Sequence, residues 1–131
     1  MSRKIKVDDL ALDIGLLNQV MLETKDAWGC GILPRDRPLN LADNPGDVLW
    51  VVAGLARKNF ALSISHERQP LDSHNDIFYR PGWVIWIAGH EGHGSFAGAI
   101  CIATLKAIGV KKVKVNEFGA LRKVIFRKEA E

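Results

Sequence analysis

The sequence predicts one small α/β or α+β domain, with a mixed sheet of about four or five strands and two or three helices. Three observations predict it. Residues 83–88 form a short run that is apolar on both faces, as a central strand is. Residues 96–108 are apolar nearly all round and stop at Gly109, the pattern of a buried helix with a left-handed cap. Segments on either side alternate apolar and polar residues at strand spacing, as at Phe60, Leu62 and Ile64 or Val113 and Val115.

The length of 131 residues suits a single domain, 1–131, with 1–6 as a candidate disordered tail. A hydrophobic share of 47% beside 25% charged residues is that of a globular chain, which sets wholesale disorder aside. No apolar run reaches the roughly 18 residues a bilayer span needs. Residues 1–9 are basic, then acidic, with no apolar core of the secretory kind, so a cytoplasmic protein that avoids the membrane is expected. Cys30 and Cys101 are far apart and read as free thiols, Cys101 inert within the apolar helix.

In chain order, residues 8–24 read as a first helix opened by Asp8 or Asp9, with Leu10, Ile14, Leu17 and Met21 on one face. Residues 25–46 have no period and are punctuated by Gly and Pro; a loop of that length is often functional, and its Arg35 and Arg37 are candidate anion ligands. Asp47 opens a second helix running through Lys58. A strand over 60–65 leads into a polar connection, 66–81, and then the central strand. The chain closes with a hairpin turning at Phe118-Gly119 and a last strand over 121–128.

Chemistry concentrates in Gly89-His-Glu-Gly-His-Gly-Ser95, read as a tight loop between strand and helix. In that setting Gly89, Gly92, Gly94 and Ser95 would present free amides to a phosphate or carboxylate. The spacing of Gly89, Gly94 and Ser95 lacks the lysine of a phosphate-binding P-loop, so a nucleoside triphosphatase is not expected. His90 and His93 can serve as general acid or base, oriented by Glu91. Alternatively His66, His90 and His93, with His74 in reserve, can ligate a divalent metal such as zinc. That composite site depends on direction: parallel strands would bring His66-Glu67 and His90-Glu91 to one edge, whereas antiparallel strands would separate them.

The expected function is therefore a small enzyme acting on a small anionic molecule, a phosphorylated or carboxylated metabolite, by acid/base or metal-assisted chemistry. Its apolar helix points to a homo-oligomer. A second reading is a basic nucleic-acid-binding module, because Lys111, Lys112, Lys114, Arg122, Lys123, Arg127 and Lys128 crowd the last stretch. A third is a noncatalytic subunit of a larger complex.

Overall fold

The apolar helix expected after Ser95 forms as α4 (Phe96–Ile108), and the other elements are layered round it. A computed structural model describes residues 3–29, 33, 34, 36–66, 69–72, 75–80 and 82–126. Cys30, Arg35, Glu67, His74, Arg127 and Lys128 lie outside the described residues. In order, the chain forms β1 (Arg3–Lys6), a 3-10 turn (Val7–Leu12), α1 (Ile14–Glu23), α2 (Lys25–Trp28) and α3 (Pro45–Arg57). It continues through β2 (Leu62–His66), β3 (Gln69–Asp72), β4 (Asn75–Arg80), β5 (Trp83–Ile87) and β6 (His90–Gly94) to α4, β7 (Val110–Val115) and β8 (Leu121–Phe126).

The class is α+β. Among the described residues the strands divide into two three-stranded sheets, ordered β1-β7-β8 and β2-β5-β6, plus the β3-β4 hairpin, and every pairing is antiparallel. β5 is central, as its two apolar faces imply: Ile85 and Ile87 are fully buried on one side and Val84 nearly so on the other. α4 is buried along residues 97–105 because β5 and β6, β7, α1 and α3 all pack on it. Ser95 caps its start, Oγ accepting from the Gly98 amide at 3.2 Å, and Gly109 ends it at φ 95°.

Several expectations are corrected. The first helix is split, because Asp13 rather than Asp8 or Asp9 caps α1, accepting from the Leu16 amide at 2.9 Å. Asp8 instead pairs with Lys106 at 2.5 Å. Residues 3–6, expected within a tail, add β1 to the sheet beside β7. The second helix begins two residues before Asp47: Asn44 accepts from the amides of Gly46 and Asp47, and Pro45 needs no amide partner there. The polar connection after β2 contains the β3-β4 hairpin.

The segment that leads into α3 is tied down by side chains at Leu39 and Leu41. Asn18 donates to the Leu39 carbonyl (2.9 Å) and accepts from the Leu41 amide (2.7 Å), standing in for a neighbouring strand. Cys101 donates to the Leu41 carbonyl, so its buried thiol is occupied, and burial pushes its pKa up. Trp28, fully buried, donates to the Met21 carbonyl at 3.0 Å.

Candidate functional site

The Gly/His stretch is not a loop at a helix start. Residues 90–94 are strand β6, paired residue for residue with β5 from Ile87↔His90 to Trp83↔Gly94. The connection is only Ala88-Gly89, both at positive φ (50° and 84°), the signature of a tight type I′ hairpin turn. This corrects the expected anion cradle: the amides of Gly92 and Gly94 belong to a strand, and the Ser95 hydroxyl is engaged in capping α4.

Side chains alternate along a strand, so residues three apart leave opposite faces. His90, Gly92 and Gly94 face the α4 side, while Glu91 and His93 face away from it. The two imidazoles therefore do not converge. On the outer face Glu91 is held between neighbours: Trp86 Nε1 donates to Oε1 (3.0 Å), and His93 Nε2 meets Oε2 (2.9 Å). These bonds, His93 first and Trp86 second, hold the Glu91 carboxyl below the ordinary range, with Lys106 adding at longer reach. An ionised carboxylate only accepts, so the proton between the two groups sits on His93 Nε2. Glu91 and His93 thus form a hydrogen-bonded pair at an open sheet surface.

On the inner face Gly92 brings β6 against the backbone of α4. A Cβ there would overlap the Ala99 carbonyl oxygen and come within 2.8 Å of the Ala103 amide nitrogen. His90, at the same strand's other end, is half-buried and lines a cleft of about 320 Å³. Across from it stand Lys6 at the end of β1, Asp8 in the 3-10 turn that follows, Lys106 near the end of α4, and Lys111 and Lys112 from β7.

His66 lies at the opposite end of its sheet. It pairs with Trp83 and packs against that ring at a tilt of 53°, centroids 4.6 Å apart, and Trp83 in turn meets Phe96 edge-on at 4.9 Å. Its partner on β5 is four positions from that of His90, about 13 Å of strand. The expected metal set of His66, His90 and His93 is therefore corrected by the antiparallel pairing. Among the described residues no group of three His, Cys, Asp or Glu side chains is placed to share an ion. Arg37, a candidate anion ligand, is taken by Asp47 through a two-pronged pairing (2.6 and 3.2 Å). Asp47 also accepts from the Asn40 amide, and it sits almost entirely buried. Its carboxyl is held below the usual range by the Arg37 hydrogen bonds first and the Asn40 amide next.

The largest concentration of charge lies on the other sheet. Lys4 stands directly opposite Lys114, and Lys114 opposite Lys123; one step along, Lys6 stands opposite Lys112. Ile5, Val113 and Val124 occupy the alternate positions and turn to the core, Val113 completely buried. No residue of these three strands is acidic. Phe118, in the β7-β8 turn, is 85% exposed, and Phe126 is 48% exposed. The basic end was legible in sequence, but Lys4 and Lys6 were missed; the alternation Lys4-Ile5-Lys6 was the signal that they belong to a strand.

Among the described residues no helix is long and apolar enough to cross a membrane. Comparison of the chain with protein-family models, with curated proteins and with solved structures gives no match.

Proposed function

We propose that the chain binds single-stranded nucleic acid along the lysine face of β1-β7-β8. The observation that carries this reading is the row Lys4–Lys114–Lys123, like charges directly opposed on three adjacent strands. Such opposition destabilises a sheet. Lysines on edge strands are commonly explained as guards against unwanted strand pairing, and that accounts for Lys4 and Lys123. It does not account for Lys112 and Lys114, because β7 is the central strand with both edges already paired. A phosphate backbone laid across the face relieves the repulsion and releases counterions. Phe118 supplies an exposed ring at the border of the face, on which an unpaired base can stack.

The test is fluorescence anisotropy with a labelled single-stranded oligonucleotide across a salt series. Replacing Lys4, Lys114 and Lys123 with Gln should make the slope of log affinity against log salt shallower by about 2, at roughly 0.7 for each phosphate no longer neutralised. Phe118→Ala should weaken binding without altering that slope. An unchanged slope in the triple variant, or no binding by the wild-type chain at low salt, overturns the reading.

A further inference from the structure

We infer that the cleft beside His90 is a site for a terminal phosphate group, a phosphomonoester. The inference rests in part on the lysine face, because Lys6 and Lys112 belong to both. A backbone following that face reaches the cleft at its end.

The cleft is strongly positive. Four lysines, Lys6, Lys106, Lys111 and Lys112, line it against one carboxylate, Asp8. Asp8 is already neutralised by Lys106 Nζ at 2.5 Å. Among the described residues Lys6, Lys111 and Lys112 have no ion-pair partner. The negative end of the α4 dipole also points this way, but the Gly109 amide bonds to the Leu105 and Lys106 carbonyls and covers them.

The walls reinforce that charge. Val7 and Val110, both nearly buried, form apolar surface beside the lysines, which strengthens electrostatic attraction there. His90 makes no side-chain hydrogen bond among the described residues, so its ring is available to donate to a phosphate oxygen. The volume, about 320 Å³, is at the lower end of those that small-molecule sites occupy. A terminal monoester carries up to two negative charges near neutral pH, where an internal diester carries one, so a cluster of ammonium groups selects the end of a strand over its middle.

Two sources share this chemistry, the phosphorylated end of a nucleic acid and a free nucleotide, and the experiment separates them. The same oligonucleotide is measured with a 5′-phosphate, with a 3′-phosphate and with neither. A nucleoside monophosphate and inorganic phosphate are titrated separately, read by NMR at His90 and at the amide of Lys111. One phosphorylated end should bind about tenfold more tightly than the bare strand, as a charge-assisted hydrogen bond allows. His90→Gln with Lys111→Gln should abolish that difference, read as the ratio of phosphorylated to bare-strand affinity within the same variant. Saturable shifts with the monophosphate but no preference among oligonucleotides support the site with a free nucleotide as its ligand. Lys111→Gln alone, on an exposed side chain, guards against misfolding of the double variant. Equal binding of all three strands, with neither the monophosphate nor phosphate shifting His90, overturns the inference. Because the bare strand reports on the lysine face by itself, failure there is read separately.

Discussion

Gly92→Ala is expected to be among the most damaging small substitutions in the chain. The added carbon would overlap the Ala99 carbonyl oxygen and lie 2.8 Å from the Ala103 nitrogen, both backbone atoms of α4. Neither side can yield cheaply: α4 is buried throughout 97–105, and β6 is locked in register to β5. Overpacking of this kind costs about 1–3 kcal/mol, and rigid obstacles place it toward the upper end. For a domain of this size that lowers the melting temperature by roughly 4–12 °C. Gly89 behaves differently. It has open space around its α-carbon but φ of 84°, so Gly89→Ala costs about 1–2 kcal/mol through backbone strain alone. Asparagine, which tolerates that conformation, should recover part of the loss at position 89 and worsen it at position 92. Thermal and urea unfolding read both series. A Gly92→Ala protein melting within about 1 °C of wild type would refute the close approach of β6 to α4.

Other consequences can be measured alongside. Ala88 holds φ of 50° in the hairpin turn, so Ala88→Asn, which creates the favoured Asn-Gly pair, should stabilise the fold by up to about 1 kcal/mol; a lower melting temperature would contradict the turn assignment. Asp47 has a lowered carboxyl pKa in the folded protein, so its contribution is fully present above the unfolded value of about 4 and is lost as pH falls through the lowered folded one. The melting-temperature gap between wild type and Asp47→Asn should therefore narrow from neutral pH into the acid range, and a gap independent of pH would count against the Arg37–Asp47 pairing.

Local signals made some elements legible. Ser95 and Gly109 bracket α4 because a capping hydroxyl and a left-handed glycine act within one turn of where they stand. The hidden strand β6 had none of these. His-Glu-Gly-His-Gly has little intrinsic preference for a sheet, and Ala-Gly is a weak turn signal beside Asn-Gly. It is a strand because β5 offers a ladder and because Gly92 alone leaves room under α4.

By itself, then, the amino-acid order determined the buried helix, the central apolar strand, the body of α3 though not its Asn44 cap, and a surplus of positive charge near the end of the chain. Only tertiary structure decided which of those charges face one another and which imidazole meets them. Lys4 and Lys114 are more than a hundred positions apart in the sequence, and they became neighbours when β1 paired with β7. His90 and His93 are three positions apart, and the pleat of β6 sent them to opposite sides. The physical reason is common to both: a strand's side-chain directions and partners are set by hydrogen bonds to another strand, which no local stretch of sequence contains.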